Sequence, residues 1–302
     1  MQPLRHGDLE AHLLPGCGGA FMSLRWKGQD LLRPLPSDCH DLPEGPRRSG
    51  GYVLAPYSNR IADACFAWQG DMVQLQRNFG NHPHSLHGFA WQRAWEWQRH
   101  DESGRDTPHD GDSATLVLQH SPDADWPWHC NVTQQVSLGP NGLSLTLHLD
   151  NLDTRPMPAG LGWHPYFQRT PNVQLKFEAA SIWLNDDRQL PSHQVAPPEE
   201  WRFHQLRPLA WPGLDNCFAG WSQQAEIYWP EYRLRLTLVA SDALRHLVVF
   251  TPENQNFFAL EPVSHANAAL NSGTPHQHGM QTLAPGERFS CHVQLNLEED
   301  HG

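Results

Sequence analysis

The sequence predicts an all-β protein, a large antiparallel β-sandwich, on three observations. Apolar and polar residues alternate with a period of two along most of the chain. The stretches between carry Asn, Gly, Pro or Asp, the residues that tight turns demand. No amphipathic helix longer than a couple of turns can be drawn. At 302 residues the chain can bury a sizeable core. No linker or internal repeat divides it, so residues 1–302 are expected to form a single domain, with a frayed tail at 298–302.

Taken in order, residues 34–50 are Pro-rich and read as a long loop, and the acidic, polar stretch 101–113 as another. Strands are predicted at 114–119 and 131–138. The turn Gly139-Pro140-Asn141-Gly142 leads into 143–149, whose Leu-Ser-Leu-Thr-Leu-His-Leu alternates without a break. A strand follows at 173–179, then a Pro-rich loop over 191–213. Further strands are predicted at 225–229, 232–240, 246–251, 257–261 and 288–297.

Composition narrows the function. The formal net charge is −12 and the longest basic run is Arg47-Arg48, which argues against a nucleic-acid surface. No apolar run is long enough to span a bilayer, and the first residues lack a secretory pattern. Six scattered cysteines fit neither a disulfide framework nor a zinc knuckle, so a reduced, cytoplasmic protein is expected. The 13 tryptophans suit sugar binding, because an indole packs on the apolar face of a pyranose. The expected partner is a small-molecule sugar, with no nucleic acid, no membrane and no metal. The protein is expected as a monomer or homodimer.

Five segments carry the candidate chemistry. Glu261 ends the apolar run Phe257-Phe-Ala-Leu260 and precedes Pro262, where partial desolvation would raise its pKa and make it a better base. His164 sits between Trp163 and a Pro165-Tyr166-Phe167 turn, an immobilised imidazole suited to general-acid work. His87 precedes Gly88, which lets backbone approach a ligand closely. Asn59 and Arg60 follow one another, and the planar guanidinium suits vicinal hydroxyls or a carboxylate. Asp215, beside Asn216, can accept from a sugar hydroxyl or simply shape a turn. The histidine pairs His82/His84 and His276/His278 invite a metal reading, but no cysteine or carboxylate accompanies them in a zinc pattern.

These residues in this order resemble the aldose 1-epimerases (galactose mutarotases). The resemblance rests on Asn59-Arg60-Ile61, Leu86-His87-Gly88-Phe89 with Trp91-Gln92 and Trp95, Gly162-Trp163-His164-Pro165-Tyr166-Phe167, Leu214-Asp215-Asn216 and Glu261-Pro262. It implies a large antiparallel supersandwich and a cofactor-free isomerase. Glu261 and His164 would be the catalytic pair, opening and reclosing the sugar ring. Arg60, His87, Asp215, Asn59 and Trp163 would bind the substrate. Pro165 after the second histidine, Gln168, and Pro-Val-Ser-His-Ala after Glu261 look more like bacterial subfamilies of unassigned sugar preference. Two alternatives stay open. One is an epimerase of a phosphorylated or sulfonated hexose, with Arg77 and Arg93 as candidate cations. The other is a non-catalytic sugar-binding module.

Overall fold

The structure is a computed structural model that describes residues 3–36, 45–98, 112–210 and 213–301. Two large antiparallel sheets account for most of it. The first runs Leu4–His6, Leu9–Leu14, Ala20–Trp26, Gly51–Leu54, Gly162–Gln168, Phe257–Val263, His246–Phe250, Asp215–Ala219, Ser181–Asn185, Pro191–Val195. The second runs Glu96–Trp97, Ser113–His120, Cys130–Gly139, Gly142–Asn151, Arg288–Glu299, Leu234–Ala240, Gln224–Trp229, Gln174–Phe177, Arg207–Pro208. The inner faces of both supply one continuous apolar core, with Val53, Trp163, Phe258 and Leu260 from the first and Leu145, Leu147, Leu236 and Val293 from the second. The all-β sandwich therefore stands as the sequence predicts.

Every strand expected between 114 and 297 is present within a few residues. The Pro140-Asn141 hairpin closes on the Gly139–Gly142 pair, and Gly142 adopts φ 133° with Leu295 O packed where a Cβ would go.

Three expectations are corrected. Gly162–Gln168 is a strand, not a turn after His164: buried on both faces, it shows no polar alternation, which hides it from a period-two reading. The stretch 191–213 holds the strand Pro191–Val195 and a short pairing at Arg207–Pro208, because Pro191 and Pro208 occupy positions on sheet edges. The tail does not fray as far as Asp300. Glu298 and Glu299 pair with Arg235 and Leu234, and Asp300 N–H donates to Arg233 O. Of the loop at 34–50, residues 37–44 lie outside the described residues and Gly45–Arg48 form one 3₁₀ turn. The stretch 101–111 also lies outside them.

Alternation along the central strands of the first sheet creates its second, outer face. Val53, Trp163, Phe167, Phe258, Leu260 and Phe218 point into the core. Their neighbours Tyr52, Tyr166, Ala259, Val263, Val248 and Cys217 form a separate buried cluster on the other side. Trp91, with Phe79, Trp183 and Phe257, packs against that cluster. The site lies on this outer face.

Candidate active site

Neighbouring strands align the site in one rung. His164 is paired with Tyr52. The pairs Gly162–Val263 and Tyr166–Ala259 bracket His164 and set it opposite Glu261. Glu261 is paired with Val248, and Val248 with Cys217. His164 Nε2 lies 3.2 Å from Glu261 Oε1, and both side chains are almost wholly buried. The second carboxyl oxygen, Oε2, is buried without a hydrogen-bond partner among the described residues. Burial, with Asp215 nearby, pushes the Glu261 carboxyl well above its usual range, and Arg60 partly opposes this. Burial, with His87 and the Arg33 guanidinium nearby, pushes the His164 imidazole well below its usual range.

Aromatic rings fix His164. Tyr52 stacks on it at 4.9 Å between centroids and Tyr166 lies at 4.4 Å. The two phenol rings lie 6.2 Å apart, and the Arg33 guanidinium lies 3.9 Å from the Tyr166 ring centroid. The Arg33 guanidinium also lies 4.2 Å from Phe257 and is tethered to the carbonyls of Ser49 and Arg47. Tyr52 and Arg33 carry no sequence signal of their own. They are recognisable only once the strands are placed side by side.

His87 comes from the short strand pairing of Arg60–Ile61 with Ser85–Leu86. Its backbone sits at φ 62° and that of Gly88 at φ 70°, and the two residues turn the chain past Ala55. A Cβ on Gly88 would stand 2.0 Å from Ala55 O, so the glycine is required. Asn59 N–H donates to His87 Nδ1 at 3.1 Å, and His87 N–H donates back to Asn59 O at 2.9 Å. The Nδ1 atom must therefore accept, and the ring proton resides on Nε2. Burial lowers the His87 pKa to about 3, so the ring is a neutral donor. The turn is further held by Asn78, whose amide N–H groups donate to Leu86 O and Gly88 O while its Oδ1 accepts from Leu86 N–H.

Arg60 Nη2 donates to Asp215 Oδ2 at 3.4 Å, and Nη1 donates to Asn59 Oδ1 at 3.2 Å. Its Nε is buried without a partner among the described residues. Asn59, at φ 55°, thus orients Arg60 and His87 together. His265 supports the same loop from below: Ser58 N–H donates to its Nε2 at 3.0 Å, while Nδ1 donates to Ala266 O. Sequence reasoning missed His265 and Asn78 as positioning residues, because their partners lie 207 and 8 positions away and follow no local pattern.

The fold thus brings together Glu261, His164, His87, Arg60, Asn59 and Asp215. It does not bring Trp163 to them. The expectation that Trp163 lines the substrate site is corrected: alternation turns it into the inter-sheet core, where it packs against Phe21 at 5.5 Å. Of the candidate cations, Arg93 is engaged with Asp123 and Asp125, and Arg77 is exposed. Among the described residues, no group of three or more His, Cys, Asp or Glu is placed to hold a metal ion. His84 bridges Asp63 N–H and Arg188 O, and His276 Nδ1 donates to Met280 O, so both have structural partners. The five described cysteines are free thiols, and no helix among the described residues is long and apolar enough to cross a membrane.

The sandwich has a galactose mutarotase-like fold, and a buried Glu–His pair lies on its outer face. A galactose mutarotase-like protein from Clostridium acetobutylicum superposes with a TM-score of 0.85 at 21% identity, covering 98% of this chain and 94% of that one. The GalM/aldose epimerase homologue from C. elegans gives 0.81 at 18%, covering 99% and 98%. In sequence, the family model for Aldose 1-epimerase matches residues 3–296. The uncharacterized protein YphB of Escherichia coli (strain K12) is 30% identical over 255 residues, 82% of this chain and 83% of that protein. The chain belongs to the aldose 1-epimerase family, which implies an isomerase.

Proposed function

We propose that the protein is an aldose 1-epimerase (mutarotase) that interconverts the α and β anomers of a free hexose. The observation that carries this is the 3.2 Å contact between His164 Nε2 and Glu261 Oε1, with Oε2 unused beside it. The two groups hold one transferable proton between them, which is the number that ring opening and reclosure require. In the free site burial places it on Glu261, since both pKa shifts favour the neutral forms.

Sugar hydroxyls donating to Glu261, with the field of Arg60, stabilise the carboxylate and pass the proton to His164. Glu261 then removes the proton from the C1 hydroxyl, and His164 protonates the ring oxygen. The C1–O5 bond breaks as the C1 carbonyl forms. Rotation about C1–C2 presents the other carbonyl face, and reclosure returns both protons to their sources. His87 Nε2–H, a neutral donor, steadies the ring oxygen, and Arg60 with Asp215 fixes hydroxyls away from C1. Asn59 holds both of these groups in place.

Anomer exchange on glucose and galactose, followed by polarimetry or saturation-transfer NMR, tests this. Acceleration is expected for the native protein and a loss of about 10²–10⁴-fold for Glu261→Gln. No acceleration on any aldose would refute the proposal in favour of a binding module. A second reading, a hexose with an anionic substituent, draws on Arg33, whose guanidinium lies against Tyr166 and Phe257 beside His164. Hexose 6-phosphates in the same assay discriminate it.

A further inference from the structure

The rung that carries the catalytic pair continues past it. Cys217, two strands from Glu261, is followed by Ser181–Asn185, whose register Ser181–Ala219 and Ile182–Phe218 places Trp183 next in line. Trp183 thus stands three strand spacings, about 14 Å of backbone, from Glu261. Its carbonyl accepts from Asn216 Nδ2, and its indole is half-buried against the same outer-face cluster. Beside it opens a cavity of about 240 Å³, lined among others by Trp183, Asn267, Asp186, Asn271 and His278.

The polar groups of this cavity divide into two sets. Asp186 Oδ1 accepts from the N–H groups of Arg188 and Leu190. Asn271 accepts from Ala62 N–H and donates to Cys65 O. These two are engaged within the fold. Asn267 is different: it is 3% exposed, and neither its amide oxygen nor its amide nitrogen has a partner among the described residues. The Trp183 indole N–H is buried in the same condition. His278 meets the indole edge-on at 5.5 Å. A buried amide left without partners costs free energy unless a ligand satisfies it.

An aromatic face, an indole N–H donor, and an amide offering both donor and acceptor form a set that matches a pyranose. The apolar face of the ring stacks, and its hydroxyls give and take hydrogen bonds. The cavity lies on the same face of the same sheet as the Glu261–His164 pair. The Cys217 thiol, in the rung between Trp183 and Glu261, lies within the field of Glu261.

We propose that Trp183 and Asn267 form a second saccharide subsite, holding the non-reducing ring of a reducing disaccharide whose free anomeric carbon lies at Glu261 and His164. The proposal rests on the mutarotase reading for the placement of the first ring only. Asp215, which accepts from Arg60, stands on a strand that lies between those of Glu261 and Trp183 in the sheet.

The test compares Trp183→Ala and Asn267→Ala with the native protein on maltose and lactose against glucose and galactose. Disaccharide KM is expected to rise about tenfold in each variant while monosaccharide KM stays within roughly twofold, which also shows that the variants fold. Disaccharide Kd, titrated by calorimetry on Glu261→Gln with and without the second substitution, is expected to rise in parallel. Should no sugar be turned over while disaccharide binding still weakens on loss of Trp183, the subsite stands and the mutarotase reading fails. Equal effects on one-ring and two-ring sugars, or no effect on either, overturn the subsite. If Asn267→Ala does not fold, Asn267→Ser and Trp183→Ala decide the matter alone.

Discussion

His87 shows how a single residue type can carry two opposite meanings. A histidine in a candidate active site suggests proton transfer, yet this one accepts a backbone N–H at Nδ1 and is held neutral down to a pKa of about 3. Toward a ligand, its Nε2–H can only donate a hydrogen bond. His87→Gln, which retains a donor, is therefore expected to lose far less kcat than His87→Ala, where removal of a fixed donor costs about 10²–10³-fold. Neither variant should move the pH–rate profile between pH 5 and 8, and measured profiles that shift there would reassign His87 as an acid. The candidate residues Glu261, His164, His87, Arg60 and Asp215 were legible in the sequence, since each stands in a distinctive local context. Tyr52, Arg33, Asn78 and His265 were not. Their roles are to hold those residues, and a holding contact depends on tertiary proximity that no short spacing encodes.

At the level of elements, the site depends on two loops fastened to a rigid sheet. The loop bearing Ser58, Asn59 and Arg60 is fixed by His265 Nε2, and the turn bearing His87 by Gly88 and Asn78. Replacing His265 with Leu leaves the buried Ser58 N–H without an acceptor, at a cost of about 1–3 kcal/mol. The expected result is a lower urea midpoint and a fall in kcat/KM, with His265→Gln recovering part of both. Unchanged kcat/KM in His265→Leu would show that the loop holds its shape alone. Strand recognition followed the same logic. Strands of the second sheet, such as Gly142–Asn151, alternate cleanly because one face is only partly buried. Gly51–Leu54 and Gly162–Gln168 are buried on both faces, so their sequences read as turns or aromatic clusters.

The whole molecule stores several buried neutral imidazoles. His87 is lowered to about 3, and His246 and His265 to about 4, chiefly by burial. In the unfolded chain each returns to about 6.5. Between those values only the unfolded state takes up these protons, so the stability they contribute is complete above about pH 6.5 and is lost as pH falls towards 4. Glu261 acts in the opposite sense: its raised pKa makes the folded carboxyl harder to ionise, which lowers stability as pH rises above its ordinary value. The expected outcome is a melting temperature that declines as pH is lowered from 6.5 to 4. The decline should be shallower in His246→Asn. A flat profile would mean that the three rings are accessible to protons in the native state.

The order of strands in the two sheets also governs how the protein is made. Glu261 is contributed by Phe257–Val263, which inserts between strands already emerged at 162–168 and still pairing at 246–250. Arg288–Glu299, the last long strand, fills the gap between Gly142–Asn151 and Leu234–Ala240 in the middle of the opposite sheet. A chain made only as far as residue 250 therefore has neither Glu261 in its site nor a closed second sheet. Chains cut short before residues 257–299 are therefore expected to be silent rather than partly functional, since the proposed acid–base pair and the second sheet are completed by the same stretch.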